Sequence, residues 1–358
     1  MSYQFNFTSS IVRSLQTIER VRERVSLTIL PPLIAERLRL RAHIRSTHFS
    51  TRIEGNRLTL EETEKVLQQG HAVPDKERDV HEVERYYQAL QKIETWAEKG
   101  LPITEDRLCK LHAILYYGRR SKATPYRDGQ NVIRDREGAV VYLPPEASDV
   151  PDLMAELVSW IQSSWEELPI PVIAGTAHYQ FVTIHPFFDG NGRSARTLAT
   201  WILYRGDYDL GKFFALEEFY AEDLQGYYNA LITHPHHNYY FGRNTADITL
   251  WLDYFLSGMA AVFERVAQEV SRSVHTDAET DTAWELLRPL DHRSRRVLGL
   301  FSGQETIQSS DVAHLLGISS RQARELLQRW TAEGWLIMAD PSRRGRKYRL
   351  AEPYRQLL

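Results

Sequence analysis

The chain of 358 residues is long enough for two or three domains, each with a core of its own. Its 42% hydrophobic and 25% charged residues are ordinary for a soluble globular protein, and a formal net charge of -3 gives no whole-chain argument for a nucleic-acid partner. Any basic surface has to be local. The single cysteine, Cys109, excludes an intramolecular disulfide and fits a reducing compartment. It falls in the helical pattern Leu108-x-x-Leu111, where core packing is the expectation. No apolar run approaches membrane-spanning length, and the N-terminus lacks a charged-then-apolar signal. A cytoplasmic protein with no membrane partner is expected.

Ile11, Leu15 and Ile18 predict a helix over residues 9 to 24. Pro31-Pro32 then punctuates, and proline is welcome in a first helical turn. From Leu33 a second helix is expected through Leu38, Leu40, Ile44 and Phe49, ending at Gly55. Thr59-Leu60-Glu61-Glu62 has the form of a capping box opening the next helix. Val80, Val83, Tyr87, Leu90, Ile93 and Trp96 predict a long amphipathic helix over 78 to 98, closed by Gly100. Another starts at Thr104 and runs through Leu108, Leu111 and Leu115. Two short β-branched runs, at Val132-Ile133 and Ala139 to Leu143, flank Arg136-Glu137-Gly138 and predict a β-hairpin. Ser148 to Trp160 resumes helix.

The apolar run Val172 to Ile184 carries Ile173, Ala177, Phe181 and Ile184 at helical spacing. Pro186 disfavours helical geometry at His185, so that helix should stop there. Arg193 to Tyr204 reads as helix again, with Leu198, Trp201 and Ile202 facing inward. The stretch between is therefore a loop feeding a helix N-terminus, and that geometry suits an anion. Gly190 and Gly192 let the backbone approach closely, and Arg193 and Arg196 can lie on one helix face above the same ligand. Asp189 amid this positive charge makes best sense with Mg²⁺ between it and phosphate oxygens. His185 has the unperturbed pKa suited to proton removal near neutral pH. These are the parts of nucleotidyl or phosphoryl transfer. Gly190-x-Gly192-x-x-Ala195 also fits a weak dinucleotide fingerprint, but that fingerprint needs a preceding strand where a helical pattern stands. No Lys-Ser/Thr follows, so it is not a Walker loop.

His185-Pro186-Phe187-x-Asp189-Gly190-Asn191-Gly192-Arg193-x-x-Arg196 resembles the signature of Fic-domain proteins at every defining position. The resemblance implies a mainly α fold, a Fic-type helical bundle with a small β-hairpin flap. It also implies transfer of AMP from Mg-ATP to a Ser, Thr or Tyr hydroxyl of a protein, the chain itself included. His185 would then be the general base and Asp189 the Mg²⁺ carboxylate. Asn191 with the Gly190 and Gly192 amides would cradle the α-phosphate of ATP, and Arg193 and Arg196 would hold the β- and γ-phosphates. The hairpin over 132–143 is similar to the family's flap, which holds the target segment by sequence-tolerant strand pairing. Ser50-Thr51-Arg52-Ile53-Glu54-Gly55 is similar to the family's inhibitory motif. It implies that Glu54, four residues after Ser50 on the same helix face, takes Arg196 in a bidentate pair and misplaces the triphosphate. Tyr227-Tyr228 resembles the family's nucleotide-pocket segment and would wall the adenine, although buried aromatics in a helix more often belong to the core.

His234-Pro235-His236-His237 lacks second-segment ligands at zinc-site spacing, and a polar loop is expected there. Ile248 to Val270 predicts a long helix, and His275 to Asp281 a polar break. Ser294 to Phe301 then reads as helix, and Ser310 to Ser319 with Ser320 to Glu333 as a helix-turn-helix. Trp335-Leu336-Ile337 and Lys347-Tyr348-Arg349-Leu350 would form a two-stranded wing, and the whole resembles the winged-helix domains often appended to Fic cores. Arg321, Arg324, Arg329, Arg343, Arg344, Arg346, Lys347 and Arg349 make this tail locally basic. DNA contact through 294–350, protein docking and homodimer formation all stay open. The expected domains are an N-terminal helical region over 1–100, a catalytic domain over 101–275 and a winged helix over 283–358. Two rival functions remain: removal of AMP from a modified protein, with Glu54 positioning a water, and a DNA-binding regulator with a nucleotide-sensing site. UMP or another phosphodiester donor would fit the same phosphate chemistry.

Overall fold

A computed structural model of the chain describes residues 3–134, 138–276, 286, 289–302, 304–316, 318–340, 342 and 346–355. The chain begins with five helices, α1 (Ser9–Leu27), α2 (Pro32–Ile53), α3 (Leu60–Gln69), α4 (Glu77–Glu98) and α5 (Glu105–Tyr117). Two short strands follow, β1 (Ile133–Arg134) and β2 (Val140–Tyr142). Then come α6 (Val150–Ser163), α7 (Ile170–Ile184), α8 (Asn191–Arg205), α9 (Leu216–Glu222), α10 (Leu224–Ala230) and α11 (Thr249–Thr276). The remainder holds α12 (His292–Leu298), α13 (Ser309–Leu316), α14 (Ser320–Ala332), β3 (Leu336–Asp340), β4 (Lys347–Leu350) and α15 (Glu352–Arg355). The fold is mainly helical, as expected.

Compact packing divides the chain into one unit of Met1–Val25 with Leu40–Ala267 and a second of Ser26–Arg39 with Gln268–Leu358. The boundary expected at residue 100 is therefore internal to the first unit: α4 packs on both α5 and α8.

In the first unit α7 and α8 form the centre. α7 is largely apolar and buried along almost its whole length, the pattern of a helix enclosed by others. It can lie close to α11 because residue 175 is glycine, where a Cβ would sit 2.8 Å from the Phe255 ring, and Trp251 Nε1 donates to the Gly175 carbonyl at 2.7 Å. On α3 the capping box forms as the sequence predicts: Glu62 N donates to Thr59 Oγ1 at 3.1 Å and Thr59 N donates to Glu62 Oε2 at 2.7 Å. α4 buries Val83, Leu90, Ile93 and Trp96 as expected and departs from the expected face at Tyr86, which takes the place of Tyr87. Tyr86 is fully buried and Tyr87 only half-buried, because the Tyr86 hydroxyl finds the buried Glu217 carboxylate at 2.9 Å.

The predicted hairpin is present, with Ile133 opposite Tyr142 in antiparallel register, although Arg136 and Glu137 at its turn lie outside the described residues. Its base is fastened to the first unit. Tyr142 Oη donates to the Thr183 carbonyl at 2.8 Å on α7, and Leu143 exchanges backbone bonds with His237 and Tyr239 at 2.9 and 3.0 Å. The histidine-rich loop thus braces the hairpin.

In the second unit α12, α13 and α14 enclose Val297, Leu298, Val312, Leu327, Trp330, Trp335 and Tyr348. Ser319 forms a capping box with Gln322 at the start of α14. β3 and β4 pair antiparallel with Leu336 opposite Leu350 and Met338 opposite Tyr348, and Ile307 bridges to Tyr348. The polar break predicted at 275–281 falls partly on the end of α11 and otherwise outside the described residues, as do Arg343 and Arg344.

Candidate active site

α7 ends where Pro186 requires it to. His185 takes the left-handed conformation, φ 54 and ψ 58, which is uncommon for a residue with a side chain and reverses the chain into the loop. Its Nδ1 lies 3.2 Å from the Val182 carbonyl, an oxygen that can only accept, so Nδ1 carries the hydrogen and Nε2 the lone pair. The residue keeps some exposed surface, but the ring is deep enough that burial pushes its pKa down to about 4. The Val182 carbonyl opposes that fall and the Arg127 charge adds to it. At neutral pH the imidazole is therefore uncharged and able to accept a proton.

The loop after His185 is fixed from within and from outside. Asn191 is 2% exposed, and its side chain closes the loop: Oδ1 accepts from Phe187 N at 2.9 Å and Nδ2 donates to Phe187 O at 2.7 Å. Oδ1 and one of the two Nδ2 hydrogens of Asn191 are thus engaged within the loop, which fixes the side chain beside the α8 N-terminus. Arg127, 3% exposed, donates through Nε to the His185 carbonyl at 2.9 Å and through Nη1 to Gly129 O at 3.0 Å, with Nη2 on the Pro145 carbonyl. Asn131 Nδ2 reaches the carbonyls of Phe187 and Phe188 at 3.3 and 3.2 Å. His112 stacks on Phe187 at 3.8 Å and its Nε2 donates to the Asp189 carbonyl at 2.8 Å. None of these three residues was singled out from sequence. His112 alone had a signal, as a polar residue on the buried face of α5.

At the far end of the loop the Asp189 side chain is 55% exposed, and its Oδ1 accepts from Gly190 N at 2.6 Å. Gly190, with φ 73, caps α8, and the first turn of that helix faces Glu54. A Cβ on residue 192 would lie 2.4 Å from Glu54 Oε1 and 3.2 Å from Arg196 Nη1, so glycine is what lets the carboxylate approach the helix end. Arg196 is 2% exposed. Its Nε donates to Ser50 Oγ at 2.8 Å, and its Nη2 to Ser50 O at 3.0 Å and Glu54 Oε1 at 2.7 Å. The pair with Glu54 is therefore one-pronged and not the bidentate fork expected, because Ser50 takes the other edge of the guanidinium. Arg193 bonds to Glu82 through Nη1 and stands 3.8 Å from Asp189 Oδ1 through Nη2.

Among the described residues no group of three or more His, Cys, Asp or Glu side chains could hold a metal ion unaided. One exposed carboxylate beside a helix N-terminus does suit Mg²⁺, which keeps waters and is completed by phosphate oxygens. Asp189 fits a shared ion. Tyr227 is not an open wall: it is 1% exposed, stacked on Tyr220 at 4.8 Å and bonded to His178 Nε2 at 3.1 Å. Tyr228, 43% exposed, is the one of the pair with surface to offer a base. The Cys109 thiol is pushed up to about 11, first by burial, which agrees with a packing role.

Among the described residues four histidines share the buried-neutral condition. Burial pushes His48, His112 and His185 down to about 4 and His178 to about 3, from an ordinary 6.5. Between those values the unfolded chain binds protons that the folded chain does not, so stability is complete above 6.5 and is lost as pH falls through the window. The thermal midpoint at pH 5 should lie roughly 5 °C or more below that at pH 7.5. Equal midpoints by differential scanning calorimetry would contradict the burial of these rings.

The Fic/DOC family model matches residues 102–203, which include the hairpin, α7, the loop and nearly all of α8. The protein adenylyltransferase Fic of Nematostella vectensis is 31% identical over 198 residues, 54% of this chain and 45% of that protein. Its counterpart in Drosophila persimilis is 30% identical over 198 residues, 55% of this chain and 38% of that protein. The chain thus spans less than half the length of these relatives. A crystal structure of a Fic family protein from Desulfovibrio desulfuricans G20 superposes with a TM-score of 0.62 at 25% identity, covering 98% of this chain and 99% of that one. A Fic domain containing signaling protein from Bacteroides thetaiotaomicron VPI-5482 gives 0.60 at 22% identity over 74% of this chain and 98% of its own, a likeness of fold. Residues 102–203 are accordingly a Fic-type domain, in a chain homologous to the protein adenylyltransferases named Fic.

Proposed function

We propose that the chain transfers AMP from Mg-ATP to a Ser, Thr or Tyr hydroxyl of a protein, itself included, and that Glu54 restrains the reaction. The observation that carries this is the loop itself. It sets a neutral imidazole with a free Nε2 lone pair at one end and a helix N-terminus with two arginines at the other. The substrate hydroxyl loses its proton to His185 Nε2 as its oxygen bonds the α-phosphorus, and the bond from that phosphorus to the pyrophosphate oxygen breaks. The α8 N-terminus and the two arginines, once released from their carboxylates, neutralise the phosphates and orient the leaving group. Asp189 would hold Mg²⁺, which would supply further charge neutralisation when bound. An anionic triphosphate beside His185 also raises its pKa towards the range of an efficient base. The exposed edge of β2, with Val140 and Val141 outward, offers main-chain pairing to a target segment. The test is incorporation of label from ATP marked at the α-phosphate.

A second reading rests on the one-pronged pair. Glu54 engages Arg196 through Oε1, leaving Oε2 outside that pair and suited to positioning a water that removes AMP from a modified protein. Glu54→Gly separates the readings, since it would raise labelling in the first case and abolish AMP removal in the second.

For the second unit we propose a winged helix that binds duplex DNA. The outward face of α14 carries exposed Arg321, Arg324 and Gln328, and Arg346 and Lys347 are exposed on the adjoining hairpin. Residues 289–358 hold twelve Arg and Lys against seven Asp and Glu, opposite in sign to the whole chain. A fluorescent duplex of random sequence should bind at low salt and weaken steeply as salt rises, and Arg321→Ala with Arg324→Ala should cost about tenfold in affinity. Absence of salt-dependent binding would refute it. Among the described residues no helix is long and apolar enough to cross a membrane, and a cytoplasmic site of action is proposed from the single cysteine.

A further inference from the structure

Both arginines of the α8 terminus are held by carboxylates. Glu54 from the end of α2 holds Arg196, and Glu82 from the first half of α4 holds Arg193. One asparagine joins the two holds. Asn56, two residues after Glu54 and 8% exposed, donates through Nδ2 to Glu82 Oε2 at 2.9 Å and to the Asp79 carbonyl at 2.9 Å. Its Oδ1 accepts from Leu58 N at 3.1 Å, and its own N–H returns to Thr51 O at 3.1 Å. The two Nδ2 bonds tie the turn after Glu54 to α4, and Oδ1 braces the turn itself. Arg57 adds a further tie, Nε to Asp79 Oδ2 at 2.9 Å.

The state of Arg193 indicates what Glu82 does to it. Its side chain is 9% exposed, Nη1 is on Glu82, Nη2 is only loosely near Asp189 at 3.8 Å, and Nε is buried with no hydrogen-bond partner among the described residues. A guanidinium oriented for phosphate would present two parallel donors in a fork. This one is turned to a carboxylate at one corner, with Nη1 alone closely engaged.

We infer that Glu82 is a positioning residue that withholds Arg193 from the triphosphate, as Glu54 withholds Arg196, and that Asn56 makes their release one event. The inference rests on reading the α8 terminus as the triphosphate site. When the turn over residues 54–58 moves, Asn56 leaves Glu82 along with Glu54 leaving Arg196, so both guanidinium groups become available together. Each restraint would then lower affinity for the triphosphate and leave affinity for AMP, which lacks the β- and γ-phosphates, nearly unchanged.

The test is calorimetric titration of the full chain with Mg-ATP and, separately, with AMP. Glu82→Gln is the informative variant because glutamine keeps an oxygen for Asn56 and removes only the charge facing Arg193. It should bind Mg-ATP about five- to tenfold more tightly than the wild type, with AMP affinity within about twofold. Asn56→Ala combined with Glu54→Gly should gain much less than the product of the two single effects, because either substitution alone frees the turn that carries both restraints. Asn56→Ala, with both carboxylates intact, should tighten Mg-ATP binding by about threefold or more. An unchanged or weakened Mg-ATP affinity in Glu82→Gln, with the chain still folded by its thermal transition, would overturn the inference, since Glu82 would then merely support Arg193. Fully multiplicative effects in the double variant would overturn the coupling through Asn56. If Glu54→Gly binds Mg-ATP more tightly and Glu82→Gln does not, this inference alone fails; if no variant binds Mg-ATP, the reading of the site fails with it.

Discussion

Glu54→Gly raises AMP labelling of protein by about 10- to 100-fold over the wild type. The carboxylate sits against the first turn of α8 and bonds the buried Arg196, so a triphosphate must displace it to gain that arginine. The pair is uneven in exposure, 1% for the Arg196 side chain and 27% for Glu54, so water screens the carboxylate in part. That screening is why the expected gain is two orders of magnitude at most and not more. Residue 54 lies just past the last helical residue of α2, beside Gly55 with φ 94, so a second glycine costs little helix. Unchanged labelling would show that Glu54 does not restrain the site.

His185→Ala lowers transfer by about 10²- to 10⁴-fold while Mg-ATP affinity stays within about twofold. The bonds that hold this position are made by backbone: His185 N to Phe181 O at 3.0 Å and Arg127 Nε to His185 O at 2.9 Å. They survive loss of the ring. Because φ is 54, asparagine tolerates the position better than alanine, and His185→Asn should lose transfer equally while unfolding at the wild-type temperature. Transfer retained in both variants would remove the base from this residue.

What could be read from the chain was local physics. Pro186 stops α7, Thr59 and Glu62 cap α3, and the β-branched runs around 136–138 predict the strand pair, each within a few residues of its cause. What could not be read depends on distant partners. Asn191 turns inward to Phe187, Arg127 reaches the His185 carbonyl from 58 residues away, and Glu82 lies 111 residues from Arg193. Tyr86 and Tyr87 sit about 100° apart on the helix, and only the buried Glu217 carboxylate decides which goes inward. Tyr227 has the composition of a nucleotide wall, yet Tyr220, His178 and Trp251 close over it. The division near residue 100 failed for a like reason: Gly100 ends a helix, but α4 continues to pack against α5 and α8.

The Glu54→Gly chain, incubated with a target protein and ATP labelled either at the α- or at the γ-phosphate, gives the most direct answer. Label from the α-position should remain on protein and label from the γ-position should leave as pyrophosphate, and both signals should vanish when His185 is also replaced. Retention of γ-label, or α-labelling indifferent to the loss of His185, would mean that this loop does not transfer AMP.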